Sequence, residues 1–309
     1  MIKLRIALFL LLSCAQAFAQ PAGGAAGGEL ALRALQRAFP GKIDSVAFID
    51  NDWVVTVGGE AFFWAGGRLL PRAEMDKADS YGAYAFYPVP ARVAPPDSYP
   101  PQYIEALRAR GSSEARRERK DNSRAFHAAL YGGLERREIE GLLERIDFLG
   151  EKVTVHRDIA GPLGRVEAAI RQWEGGRSFI ASIRSIEGYS WRQIAGTQRM
   201  SYHSWGLAVD IQPRRLGGKA IYWLWEMGRN DDWMLVPLES RWNPPGQVIE
   251  AFEKEGFIWG GKWPVYDNMH FEYRPELHEL TRLLDASPAA SEGSPGRDLH
   301  HVYPDTLRN

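Results

Sequence analysis

The residues best suited to chemistry fall in two short segments. The first runs Ser201-Tyr202-His203-Ser204-Trp205-Gly206-Leu207-Ala208-Val209-Asp210-Ile211. From Gly206 onward apolar residues alternate. The pattern predicts a strand with Leu207, Val209 and Ile211 on one face and Ala208 and Asp210 on the other. Gly206 permits a turn that swings His203 back beside Asp210. Imidazole nitrogen and carboxylate oxygen both bind zinc, at about 2.0–2.2 Å.

The second segment, Phe257-Ile258-Trp259-Gly260-Gly261-Lys262-Trp263 through Asp267-Asn268-Met269-His270-Phe271-Glu272, supplies a third ligand, His270. Three protein ligands leave a fourth position open for water, which is the catalytic rather than the structural arrangement. A metal so held lowers the pKa of its water toward ~7 and polarises a carbonyl. A nearby carboxylate must then take up the proton and pass it to the leaving group. Asp267, three residues before His270, is the favoured base. Glu272 is the rival, because residues two apart on a strand share a face.

The combination of Ser-x-His, Gly three after the His, Ala two further on and Asp two after that, joined to a Trp-Gly-Gly…Asp-x-x-His segment, resembles the zinc DD-peptidases. That family includes vancomycin-resistance D-Ala-D-Ala dipeptidases, D-alanyl carboxypeptidases and phage L-alanyl-D-glutamate endopeptidases. The matching positions are Ser201, His203, Gly206, Ala208, Asp210, Asp267 and His270. The Trp-Gly-Gly lead-in and an Asp base lean toward the endopeptidase branch.

The resemblance implies an α+β fold: a small antiparallel sheet bearing a zinc site, with helices packed on it. It implies Zn2+ held by His203, Asp210 and His270, and hydrolysis of amide bonds in peptidoglycan stem peptides. It also implies an arginine for the oxyanion, since charge developing there needs a preorganised donor. Arg192 is the first choice, with Arg184 and Arg199 as alternatives. Ser201 is expected to position substrate or to bond a nearby backbone group. Trp205, Trp259 and Trp263 are expected to wall the cleft or to pack in the core. The Hedgehog signalling domain resembles the same fold with a similar triad, so a catalytically silent, zinc-bearing wall-binding module is the alternative function.

Around these segments the chain must supply a scaffold. It has 309 residues, 45% hydrophobic and 25% charged, with a net charge of −1. That balance fits a globular protein of one large or two modest domains and gives no basic field for nucleic acid. Lys3 and Arg5, the apolar run Ile6–Leu12 and Ala17-Phe18-Ala19 read as a signal peptide, residues 1–19. No run is long enough to span a bilayer, so export to the periplasm or beyond is expected. Cys14, the only cysteine, sits in Leu11-Leu12-Ser13-Cys14, which leaves lipid anchoring as the rival to secretion.

Residues 20–150 are expected to form an N-terminal accessory region: a Gly/Ala-rich leader to Gly28, a helix over Leu30–Phe39, and a β-meander (Val46–Ile49, Trp53–Val57, Ala61–Trp64). Helices follow at Tyr103–Arg110 and, from the spacing of Ile139, Leu142, Leu143 and Ile146, across Glu135–Phe148. The charge run Arg116–Arg124 reads as a solvated helix face or loop, with a grip on anionic wall polymers as its functional alternative. Residues 151–285 are expected to be the catalytic domain, with Val166–Trp173 helical. Residues 286–309, with His300-His301, are expected to be a flexible tail. No heptad or apolar repeat argues for an obligate assembly, so the protein reads as a monomer.

Overall fold

The computed structural model describes residues 25–286. The expected signal peptide, Cys14 and the His300-His301 tail lie outside the described residues. The elements in chain order are α1 (Ala25–Ala38), β1 (Ile43–Ile49), β2 (Asp52–Val57), β3 (Glu60–Ala65), β4 (Arg68–Pro71), α2 (Pro101–Gly111), α3 (Ser113–Arg117), α4 (Arg124–Tyr131) and α5 (Arg136–Glu140). Then come β5 (Leu143–Phe148), β6 (Glu151–His156), α6 (Arg157–Gln172), α7 (Gly176–Ser182), β7 (Ile183–Glu187), β8 (Ala208–Pro213), α8 (Trp223–Met227), α9 (Gly246–Lys254), β9 (Phe257–Trp259), β10 (His270–Tyr273) and α10 (Pro275–Asp285). The fold is α+β, with its strands in small antiparallel sheets.

The expected meander is a four-stranded antiparallel sheet in the order β1-β2-β3-β4. Helix α1 lies against it and buries Ala31, Leu32, Ala34 and Leu35, one stripe at helical spacing. The helix begins earlier than the composition suggested. Ala25–Gly28 form its first turn, where a leader was expected. The reason is packing: a Cβ at Gly28 would come within 2.9 Å of the Trp64 ring, so glycine lets the helix close on β3. Helix α1 also packs on α10, joining the two ends of the described chain.

The site sheet has the order β7-β8-β10-β9, antiparallel throughout. Behind it α6 buries Ile159, Leu163, Val166 and Ile170, and α9 buries Val248, Ala251 and Phe252. Phe252 stacks on Phe271 of β10 with ring centroids 3.9 Å apart. One hydrophobic core runs from Leu32 and Phe62 through Phe148 and Val155 to Phe271 and Leu277, so both sheets share it. A smaller cluster gathers Tyr103, Leu107, Trp223, Trp233 and Tyr266.

The helix expected over Glu135–Phe148 stops at Glu140. Leu143–Phe148 is a strand paired with β6. Apolar spacing there fits a helix, but Gly141 ends α5 and Leu149-Gly150 makes the tight turn of a hairpin. That hairpin straddles residue 150. Among the described residues no helix is long and apolar enough to cross a membrane.

Candidate metal centre

Strand β8 carries Asp210 and strand β10 carries His270, and the two are direct cross-strand partners. His203 arrives by a different route. Ser201 caps a short 3-10 turn, Tyr202–Trp205, its hydroxyl accepting from the His203 N–H at 3.4 Å. Gly206 ends the turn at φ +67°, and a Cβ there would lie 2.7 Å from the His156 nitrogen. Only glycine fits both demands, and the reversal returns the chain so that His203 faces Asp210.

Three atoms converge. His203 Nε2 is 3.1 Å from Asp210 Oδ1, His270 Nδ1 is 2.8 Å from the same oxygen, and the two nitrogens are 3.3 Å apart. The far side of each imidazole is committed. His203 Nδ1 lies 2.6 Å from the Gly188 carbonyl, and His270 Nε2 lies 3.2 Å from Glu272 Oε2. Each acceptor draws the ring proton to its own side, which leaves His203 Nε2 and His270 Nδ1 with free lone pairs toward Asp210. All three residues are buried, and their ligating atoms are close enough together to hold one metal ion. Two imidazoles and one carboxylate with outward hydrogen bonds fit zinc.

The charges are strongly perturbed. Burial pushes the Asp210 carboxyl up, but the His203 and His270 rings outweigh it and hold it well below the usual range. Burial pushes His270 down, but hydrogen bonds to Asp210 and Glu272 hold it well above its ordinary value. Buried ionisable groups that perturb one another this strongly are characteristic of functional sites.

Asp267 sits where β9 and β10 approach. Its N–H donates to the Gly260 carbonyl at 3.1 Å and its carbonyl accepts from the His270 N–H at 3.2 Å. Its Oδ1 is sealed from solvent with no hydrogen-bond partner among the described residues. Burial and then the Asp210 charge push its carboxyl up to about 7, against the pull of His270, the Met269 N–H and Arg192. Glu272 is differently placed. It meets His270 on the Nε2 side, away from Asp210, and is paired with Arg274. It orients a ligand and is not aimed at the convergence point.

Of the three candidate arginines, Arg192 reaches the cluster, its Nη2 3.9 Å from Asp210 Oδ2, with the side chain 43% exposed. Its loop is pinned by Ser204, whose hydroxyl donates to the Arg192 carbonyl at 2.8 Å and accepts from the Arg192 N–H at 3.0 Å. Arg184 instead donates to Gln212. Ser201 is buried as the cap of the turn, the backbone alternative weighed for it. Trp205 is 4% exposed, stacked on His127 at 4.9 Å, so it packs in the core and does not line a cleft. Trp259 is likewise buried. Trp263 does flank the site. Its ring lies 5.6 Å from His270, held by a hydrogen bond from Nε1 to the Tyr87 hydroxyl at 2.8 Å.

Gly188, Ser204 and Arg274 escaped the sequence reading. Arg274 alone left a signal, since it continues the alternation of His270 and Glu272 one residue past the end of β10. A carbonyl and a loop-pinning serine leave no pattern.

Fold and centre together define a class: an α+β protein with a buried His2Asp cluster able to hold a metal ion and a buried carboxylate, Asp267, beside it. Within that class, residues 195–273 match the family described as D-alanyl-D-alanine carboxypeptidase, which is what this segment is similar to. The match takes in Ser201, His203, Asp210, Asp267 and His270, and leaves Arg192 just outside. Residues 31–86, comprising most of α1 and the meander, match a domain of unknown function. No curated protein and no solved structure matches the chain.

Proposed function

We propose that this protein is an exported zinc metallopeptidase that hydrolyses amide bonds in peptidoglycan stem peptides. The observation that carries the reading is the convergence of His203 Nε2, Asp210 Oδ1 and His270 Nδ1, with the remaining ring nitrogens tied to Gly188 and Glu272. Zinc bound there would polarise the scissile carbonyl and acidify a water molecule.

The protein's own residues supply the rest. Asp267 takes the proton from the attacking water and returns it to the leaving amine. A carboxyl raised to about 7 suits both tasks near neutrality. Arg192, fixed by Ser204 and open to solvent at its tip, donates to the developing oxyanion. Glu272 and the Gly188 carbonyl keep both imidazoles in the correct tautomer. Ser201 acts by holding the turn that delivers His203. Trp263 forms one wall. Residues 20–150 act as an accessory region whose segment near Tyr87 braces that wall.

The test is incubation of purified protein with peptidoglycan fragments, with zinc or with chelator, alongside Asp267→Ala, with products identified by mass. A chelator-sensitive cut abolished by Asp267→Ala supports the reading, and the product mass names the bond. Zinc binding with every fragment intact would sink it in favour of a silent wall-binding module.

A further inference from the structure

A second group of charges gathers where α2 and α3 meet the loop before Ser201. Arg110 ends α2, Arg116 lies on α3, Arg119 follows it, and Arg199 sits in the loop before Ser201. The loop is tied to α3: Arg116 Nη1 donates to the Ala195 carbonyl at 3.4 Å, and Gln198 Nε2 donates to the Arg117 carbonyl at 3.2 Å. Arg119 Nη2 donates to the Arg110 carbonyl at 3.2 Å. Gly196 keeps the approach open, since a Cβ there would lie 2.6 Å from Arg116 Nη1.

These guanidinium groups feel one another. Burial and then Arg119 and Arg199 push Arg110 down to about 9, and burial with Arg199 and Arg116 pushes Arg119 down to about 10. Among the described residues no carboxylate pairs with Arg116, Arg119 or Arg199. Asp121, two residues beyond Arg119, is occupied by the Met200 N–H at 3.1 Å and by Arg124. Arg116 Nε is sealed from solvent and meets no acceptor.

One member of the cluster, Arg116, is within electrostatic reach of a residue that borders the centre already described. Tyr222 pairs with Asp267 through the backbone, and its hydroxyl feels Asp267, Arg192, Asp210 and Arg116 together. Arg116, Arg119 and Arg199 bring like charges together without a carboxylate partner among the described residues, and an anion with planar oxygens would relieve them, because guanidinium binds carboxylate bidentately.

We propose that Arg116, Arg119 and Arg199 form an anion subsite that grips a carboxylate of the peptide substrate remote from the bond that is cut. The proposal rests on the peptidase reading for its substrate. It extends recognition onto α3, outside the segment matched to the peptidase family.

The experiment uses two synthetic stem peptides that differ only in whether the carboxylate remote from the scissile amide is free or a carboxamide. Each is titrated calorimetrically into the full-length protein treated with chelator. The acid should bind about tenfold more tightly than the amide, as expected for a charge-assisted bidentate pair. In Arg116→Gln/Arg199→Gln, and separately in Arg119→Gln, that ratio should fall toward one. Thermal unfolding of these variants should stay at or above wild type, since each change removes a like charge. Equal binding of acid and amide by wild type overturns the proposal. So does a ratio that survives in the variants, or a lowered Tm with the ratio unchanged. Cleavage of the same peptides with added zinc is scored separately. No cleavage with the ratio intact defeats the peptidase reading and leaves the subsite standing.

Discussion

Glu272 Oε2 lies 3.2 Å from His270 Nε2, at the end of the ring opposite the Nδ1 that meets Asp210. A carboxylate so placed fixes the tautomer of the His270 ring from the side away from Asp210. Glu272→Gln keeps an acceptor and removes the charge. Apparent zinc affinity should fall about ten- to a hundredfold, the usual cost of an altered outer partner. Turnover at saturating zinc should change little. Competition with a chromogenic chelator measures the first and peptide cleavage the second. A drop in saturated turnover of about 10^2–10^4, the effect of losing a general base, would make Glu272 the base after all.

Asp267 makes the opposite prediction. Asp267→Asn keeps the shape and loses the proton acceptor, so kcat/KM should fall by about 10^2–10^4 while zinc affinity holds. Stability supplies an independent readout in chelator-treated protein. The folded carboxyl is raised to about 7 from an unfolded value near 4, so the native state binds the extra proton between those pH values. Wild-type stability should therefore decline as pH rises through that window. Asp267→Asn should lack the decline and be the more stable of the two at pH 8 in urea unfolding.

The convergence of His203, Asp210 and His270 was legible because its geometry is local or periodic. Strand alternation puts Asp210 on a small-residue face, and Gly206 announces the reversal that returns His203. The meander was legible for the same reason. The Leu143–Phe148 strand was not, because Ile139, Leu142, Leu143 and Ile146 satisfy helical spacing and the hairpin reveals itself only through its partner β6. Trp205 illustrates a second limit. Its position in the motif suggested a cleft wall, yet tertiary packing turns it onto His127. The arginine cluster depends on α3 meeting a loop nearly eighty residues later, a contact with no sequence periodicity.

His127 gives a pH test away from the metal ligands. It is buried between Trp205 and Tyr131. Its Nδ1 lies 2.8 Å from the Tyr84 hydroxyl, which itself donates to the Ser123 carbonyl at 2.7 Å, so the ring donates to Tyr84 and is neutral. Burial, then the charge of Arg274, push it down to about 3, with Arg199 adding to the effect and Glu272 opposing it. The unfolded chain thus binds a proton between pH 6.5 and 3 that the native state does not, and stability falls as pH drops through that range. The loss is on the order of 5 kcal/mol at the acid end. Urea midpoints measured from pH 7 to 4 should decline more steeply for wild type than for His127→Phe. Parallel slopes would exclude His127 as the group responsible.

Arg274 ties the segment at Ala85 to Glu272 and so to His270, and removing it should damage both packing and site. Its side chain is 6% exposed. It pairs with Glu276 through Nε and with Glu272 through Nη1, and Nη2 donates to the Ala85 carbonyl at 2.7 Å. Its guanidinium also lies over Tyr202, in the turn that delivers His203. Arg274→Met fills similar space but strands two buried carboxylates, a change that costs about 3–5 kcal/mol when one partner of a buried pair is lost. Burial pushes the Glu272 carboxyl up, and His270 and then Arg274 hold it down, so without Arg274 its grip on His270 should weaken and zinc affinity should fall as well. Adding Glu276→Gln removes one stranded charge and should recover part of the stability without recovering zinc affinity. Urea unfolding and chelator competition on the single and double variants separate the two effects. Recovery of both together would mean that Arg274 acts on the centre only through global stability.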